Sequence, residues 1–166
     1  MSPAIQLFYI LLLLVVASST SHAQSAASPH FRIEQLAPGV YAAIATDDGS
    51  AGSNAGIVDL GEKTVVFDTF LSLNAARDLL KAAEQLTHNP VAYVINSHFH
   101  NDHIRGNQVF SPDVEIISTS KTREAISRIE PEQIKWEIQN IPQLILDTQE
   151  SLDDESDPFK MHDLAM

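Results

Sequence analysis

The chain has 166 residues, a length that indicates a single domain. It carries 10 Lys and Arg residues against 22 Asp and Glu residues, which gives a formal net charge of −12 at pH 7. Contacts to phosphate need clustered basic residues and none occurs here, so the composition argues against nucleic acid as a partner. Because the chain has no cysteine, disulfides and attachment of lipid through an N-terminal cysteine are excluded.

The beginning of the chain has the organisation of a secretory signal. Ile5 to Val16 is almost uninterrupted apolar sequence, which is short for a membrane span, and small and polar residues follow it. Ser21 and Ala23 place small side chains at the two positions that a signal peptidase reads. No Lys or Arg precedes the apolar run, and an uncleaved anchor is the alternative. We therefore predict a signal peptide over residues 1–23 and an exported domain over residues 24–166, periplasmic or secreted, with no stable membrane span after cleavage.

The next part of the chain has the alternation and the turn residues of two β-hairpins. Phe31 to Ala45 contains two strand-like runs joined by a Pro-Gly turn at residues 38–39. Asn54 to Leu60 and Lys63 to Phe67 predict the second hairpin, and the second of these runs has the β-branched and aromatic character of a buried strand.

An amphipathic helix and a further strand are predicted to follow these hairpins. Asn74 is a candidate N-cap for a helix that continues to Leu86. The apolar residues that share one face at helical spacing are Ala76, Leu79, Leu80, Ala83 and Leu86. The Asn-Pro pair at residues 89–90 ends the helix and leads into a strand over Val91 to Ser97.

Shorter elements are predicted after residue 103. Gly106 to Phe110 fits a short helix, Val114 to Thr119 a strand and Lys121 to Ile129 another helix. Strands that alternate with helices indicate an α/β fold. The later apolar residues are expected to line helices broken at Pro142. The acidic run from Asp147 to Asp157 reads as a solvated helix end or tail.

The HFHNDH segment, residues 98–103, holds four potential metal ligands directly after the predicted strand. Imidazoles and carboxylates are the usual ligands of zinc and of several other divalent ions. In an extended segment His98 and His100 point the same way, so this pair could hold one ion. Asp102 and His103 come where the chain must turn and could reach a second ion. The alternative is a polar loop whose histidines are hydrogen-bonded by their neighbours.

The chain resembles the metallo-β-lactamase superfamily over roughly Phe31 to Ile129. The ligand cluster matches the signature of that family in residue type and spacing. The other matching features are the Pro38-Gly39-Val40-Tyr41 hairpin, Asn54, the strand that ends in Asp68-Thr69, and Gly106-Asn107 after the cluster. The resemblance implies an α/β fold that is the N-terminal half of an αββα sandwich.

The resemblance also implies a zinc-dependent hydrolase that acts on a small-molecule ester, thioester, lactam or phosphoester. His98 and His100 would hold the first ion, and Asp102 and His103 the second, with one or two zinc ions bound and iron or manganese as alternatives. Asp102 would also be catalytic, because it would orient the attacking hydroxide. Asp68 would support the metal loop from behind.

Two features depart from the family pattern. Arg105 stands where many members have a glycine, and we predict that it is exposed, the alternative being that it alters the loop or narrows the site. The family takes its remaining ligands from a second half, whereas here the only histidine after the cluster is His162, in a sequence context that does not match. We therefore expect a domain truncated at its C-terminus, a piece of a longer metallohydrolase. The alternative is a non-catalytic or degenerate metal-binding domain.

Overall fold

The structure is a computed structural model that describes residues 28–155, with side chains described for residues 28–149. The predicted signal peptide and His162 lie outside the described residues. The strands are β1 (Phe31–Ala37), β2 (Val40–Ala45), β3 (Ala55–Asp59), β4 (Thr64–Phe67), β5 (Val91–Ile95) and β6 (Glu115–Ile117). The helices are α1 (Leu73–Thr87), α2 (Asn101–Ile104), a 3₁₀-helix (Arg105–Val109) and α3 (Ser120–Glu155).

The six strands form one sheet in the order β1-β2-β3-β4-β5-β6. The first four strands pair antiparallel, which confirms both predicted hairpins. The turn between β1 and β2 places Gly39 at φ 73°, a left-handed conformation that glycine adopts without steric cost. The pairs β4–β5 and β5–β6 are parallel, so the predicted α/β fold is confirmed.

The parallel pairing of β4 with β5 decides where the ligand segment lies. Phe67 pairs with Ile95, so both strands end at the same edge of the sheet. Asp68 follows the first strand at that edge, and residues 96–103 follow the second. Polar side chains that are far apart in the sequence are therefore brought together at the carboxyl ends of two neighbouring strands.

Helix α1 begins at a different cap from the predicted one. Ser72 is the N-cap, with extended backbone, and its hydroxyl accepts a hydrogen bond from the amide of Ala75 at 3.1 Å. Asn74 is inside the helix, where its side chain accepts a bond from Arg77. The prediction was wrong because serine and asparagine are both good N-caps, and both occur within the same three residues. The helix ends at His88, whose left-handed φ of 58° stops it.

The core lies between the sheet and α1. The largest fully buried apolar side chains are Phe31, Phe70, Ile57, Leu79, Val66 and Val94. Phe31 and Phe70 pack with ring centroids 5.3 Å apart, which joins the first strand to the segment after β4. α1 contributes Ala76, Leu79 and Ala83 from its predicted apolar face. Burial of these side chains supplies most of the stabilising free energy.

Helix α3 is longer than the sequence predicts. It continues from Ser120 through Pro131 and Pro142, so the predicted break at Pro142 is wrong. Each proline removes one backbone donor, which leaves a carbonyl four residues earlier without its helical partner. The released carbonyls belong to Ser127 and Ile138, and both residues are exposed, so these carbonyls can bind water instead. Within the described part of the chain, no helix is long and apolar enough to cross a membrane.

Candidate metal centre

The ligand segment begins in irregular structure and ends in a short helix. β5 stops at Ile95, two residues earlier than predicted, and His98 lies in the bend that follows. His100 is the N-cap of α2, with extended backbone, so Asp102 and His103 belong to this four-residue helix. We expected the whole segment to be a loop, and that expectation was wrong for its second half.

The four predicted ligands lie next to one another. The rings of His98 and His100 have centroids 4.7 Å apart, and those of His98 and His103 are 4.1 Å apart. Nε2 of His103 is 3.2 Å from Oδ2 of Asp102. Among residues 28–155, however, no three His, Asp or Glu side chains are grouped so that they could hold one metal ion. The described residues therefore offer neighbouring pairs of donors.

Asp68 lies directly behind this cluster and is nearly buried, with 8% of its surface exposed. Its carboxylate accepts bonds from the amide of Ser97 at 2.8 Å and from the hydroxyl of Ser97 at 2.7 Å. Nδ1 of His103 is 2.8 Å from Oδ2 of the same carboxylate. Asp68 therefore supports the ligand segment from behind, as the resemblance implies.

These hydrogen bonds engage one nitrogen of the His98 ring and one of the His103 ring, and they leave the other nitrogen of each ring for a metal. A carboxylate only accepts, so Nδ1 of His103 carries the proton that it donates to Asp68. The hydroxyl of Ser97 donates to Asp68, so its oxygen is free to accept from Nδ1 of His98 at 2.9 Å. Both rings are therefore held through Nδ1, and Nε2 is the nitrogen that each ring could offer to a metal in place of a proton; Nε2 of His103 already faces Oδ2 of Asp102 at 3.2 Å. The imidazole nitrogens and the Asp102 carboxylate are the kinds of ligand that a divalent cation such as zinc binds.

The backbone of α2 is held by polar side chains to which the sequence analysis assigned no such role. The carbonyl of His103 accepts bonds from the amide and hydroxyl of Thr69 and from the side chain of Asn96. Asn96 and Asn107 exchange two side-chain bonds, of 3.1 and 2.8 Å. Ser53 donates to the carbonyl of Asp102. The flanking polar residues were visible in the sequence, but nothing in their spacing indicated these partners.

Gly106 allows α2 and the 3₁₀-helix to approach the segment after β4. A Cβ atom at this position would lie 1.9 Å from the carbonyl oxygen of Thr69 and 2.6 Å from Cβ of Ala76. Cβ atoms essentially never approach backbone this closely, so any larger residue must displace the chain. The amide of Gly106 donates to the carbonyl of Phe70, which fixes the approach.

Arg105 is not the exposed residue that the sequence predicted. Its guanidinium makes two bonds of 2.8 Å to the carboxylate of Glu137, and its Nε lies 3.6 Å from Glu130. The hydrogen bond that Arg105 donates to Glu137 raises the pKa of Arg105, against the opposing effect of burial. The same hydrogen bond lowers the pKa of Glu137. The expectation failed because both partners lie on α3, far along the chain.

A cleft of about 640 Å³ lies beside the ligand segment, between β6 and the start of α3. Its lining side chains are Asn96, Asn107, Ile116, Ile117, Ser118, Arg123, Ile126 and Ser127. None of the four predicted metal ligands lines it, although the Asn96–Asn107 pair separates it from α2. The cleft therefore borders the candidate site without including the donor atoms.

The architecture is that of metallo-β-lactamases. A crystal structure of a metallo-β-lactamase from Erythrobacter litoralis matches with a TM-score of 0.53 and 21% identity, over 61% of this chain and 46% of that one. One from Hirschia baltica matches with a TM-score of 0.50 and 21% identity, over 58% of this chain and 46% of that one. The chain thus spans about half the length of these solved structures. The predicted fold class, an α/β fold equivalent to about half of such a sandwich, is confirmed.

The sequence also matches the model of the metallo-beta-lactamase superfamily, over residues 49–160. The protein belongs to this superfamily and has its hydrolase fold. The match includes the complete ligand segment and all of α3. A search of curated protein sequences found no significant match.

Proposed function

We propose that the protein is a metal-dependent hydrolase that binds zinc through residues of the ligand segment and acts on a small-molecule substrate. The observation that carries the proposal is the hydrogen bonding behind the cluster. Nδ1 of His103 and Nδ1 of His98 are both engaged, by Asp68 and by Ser97, which leaves Nε2 of each ring as the nitrogen that can bind a metal. The proximity of the His100 ring and the Asp102 carboxylate to these two histidines favours a metal site over a polar loop.

Each predicted ligand has a defined part in this proposal. His98 and His100 would bind one zinc ion, and Asp102 and His103 would bind a second or complete the first. Nε2 of His103 lies 3.2 Å from Oδ2 of Asp102, so these two groups already face each other. When bound, the ion supplies Lewis-acid chemistry, which polarises the scissile bond and activates water. Asp102 would then orient the attacking oxygen, with its own backbone held by Ser53.

One observation favours a second candidate function. No three donors are grouped around one point within residues 28–155, whereas a catalytic zinc ordinarily has three protein ligands. A non-catalytic metal-binding domain would need only the pairs that the ligand segment provides. Both candidates predict zinc binding, and zinc-dependent turnover above background, even if slow, would favour the hydrolase.

Zinc titration of the full chain by calorimetry, with parallel hydrolysis assays, tests the proposal. We expect weak binding of about one ion per chain, since water must complete the coordination. Replacing His98 and His100 together with alanine should abolish most of this binding. Hydrolysis of lactam, thioester and phosphodiester substrates by this chain should be low or absent, because an incomplete ligand set positions the reacting groups poorly.

The matched control is His88→Asn, which removes an imidazole that lies outside the cluster. Asparagine tolerates the left-handed backbone of His88, so this variant should fold and bind zinc as the wild type does. Absence of zinc binding in the wild type would contradict both candidate functions. Two tightly bound zinc ions with rapid turnover would contradict the non-catalytic candidate and the incomplete ligand set.

A further inference from the structure

Arg105 links the ligand helix to a distant part of the chain. It is the C-cap of α2, and its amide bonds to the carbonyl of Asn101, so its backbone is continuous with the helix that carries Asp102 and His103. Its side chain extends to α3 and makes two bonds of 2.8 Å to Glu137. One residue thus touches both the metal-ligand helix and α3.

The side chains of the ion pair are mostly buried. The side chains of Arg105 and Glu137 are 21% and 19% exposed, and that of Glu130 is 11% exposed. Nε of Arg105 and Oε1 of Glu130 are buried and have no hydrogen-bond partner among the described residues. If Arg105 were removed, two carboxylates would stay in this shielded position without a counter-charge, which is strongly unfavourable. The guanidinium therefore decides whether α3 can dock here.

The rest of α3 gives little other support to this docking. Residues 141–149 are exposed, and Ile138, one residue after Glu137, has 71% of its surface exposed. Movement of α3 relative to the sheet would therefore be transmitted to α2 mainly through the Arg105 guanidinium.

We infer that Arg105 is a positioning residue that couples zinc binding on α2 to the docking of α3. The inference rests on the proposed function, because it concerns the ligands named there. Docked α3 holds α2 so that Asp102 and His103 keep their relative position, and bound zinc holds the same geometry. Because such coupling is reciprocal, zinc must strengthen the docking of α3 by the factor by which docking strengthens zinc binding.

The test uses the full chain with Arg105→Gln, Glu137→Gln and both changes together. Each single change should weaken zinc binding roughly tenfold, the usual effect of losing a group that orients a ligand. The double variant should bind no more weakly than either single variant, since both remove the same contact. Calorimetry at a temperature where all variants are folded gives these affinities. Glu132→Gln, an exposed change on the same helix, is the control and should leave zinc affinity unchanged.

Hydrogen exchange separates coupling from a merely structural role. In the metal-free protein, Glu137→Gln should accelerate exchange of the α2 amides, and in the wild type zinc should slow exchange along α3. A purely structural ion pair would lower the unfolding temperature without changing zinc affinity or the exchange of α2, and that result would overturn the inference. A wild type that binds no zinc would contradict the proposed function, while α2 exchange in metal-free Glu137→Gln would still decide the role of Arg105.

Discussion

At the scale of single residues, the contacts around the candidate site join positions that are far apart in the chain. The ligand segment itself is contiguous, so its residue types and spacing were enough to propose it as a metal site. The partners of Asp68 lie 29 to 35 residues away, and Glu130 and Glu137 lie 25 and 32 residues from Arg105. Contacts of this kind depend on how strands and helices are placed, and no periodicity in the sequence encodes them.

The Arg105–Glu137 pair should make the stability of the protein depend on pH. The pKa of Glu137 is lowered from its ordinary value of 4.5, so its contribution is present above that value and is lost as the pH falls below it. The pKa of Arg105 is raised above its ordinary, strongly basic value, so its contribution persists throughout the accessible pH range. Glu137→Gln should therefore cost about 1 kcal/mol of unfolding free energy at pH 7 and progressively less below pH 4.5.

Urea denaturation of wild type and Glu137→Gln at several pH values measures this difference. Glu132→Gln serves again as the control, because its exposed carboxylate has no part in the ion pair. A difference between wild type and Glu137→Gln that stayed constant from pH 7 to pH 3.5 would show that the ionised carboxylate of Glu137 does not stabilise the fold.

At the scale of elements, the strands and α1 followed from local rules. The alternation of side chains and the Pro38-Gly39 turn predicted the first hairpin with its observed bounds. Helical spacing identified α1. Two boundaries were wrong for physical reasons: the N-cap of α1 had competing candidates, and α3 continues through two prolines because its exposed backbone can be solvated.

The cap of α1 can be tested by a pair of substitutions. Ser72→Ala removes the acceptor for the amide of Ala75 and should lower the unfolding free energy by about 1 kcal/mol. Asn74→Ala is the matched change at the cap that the sequence favoured, and it should have little effect because Asn74 contacts only exposed Arg77. Thermal or urea unfolding of both variants gives the comparison. A larger loss for Asn74→Ala than for Ser72→Ala would show that the helix begins differently.

At the scale of the whole molecule, the described part presents much apolar surface to solvent. The exposed apolar side chains on β6 and α3 are Ile116, Ile117, Ile134, Trp136, Ile138, Ile141, Leu144, Ile145 and Leu146. Where such side chains adjoin, they form a surface that another part of a protein can cover. The chain spans about half the length of the metallo-β-lactamases that it matches, and in those proteins the other half provides additional surface for packing. The expectation of a domain truncated at its C-terminus rests on the incomplete ligand set and stays a prediction.

Export is a further proposal for the whole chain, and it is testable apart from metal binding. Residues 1–28 fused to a reporter should direct its export, and the exported product should begin at Gln24. Ala23→Tyr should block cleavage at that bond without blocking export, because a large side chain does not fit where the peptidase reads. N-terminal sequencing of the exported fractions checks both expectations. A soluble cytoplasmic product that still begins at Met1 would contradict the proposal.

Because β4 and β5 are parallel, their carboxyl ends lie at one edge of the sheet and their amino ends at the opposite edge. The candidate metal centre occupies the edge where these strands end, whereas the turn at residues 60–63 and the Asn89-Pro90 pair lie at the opposite edge. That turn is exposed throughout, and its backbone closes on itself through the bond from the amide of Leu60 to the carbonyl of Lys63. For protein engineering, the turn at residues 60–63 is therefore the place to attach a fluorophore or an affinity tag remote from the chemistry.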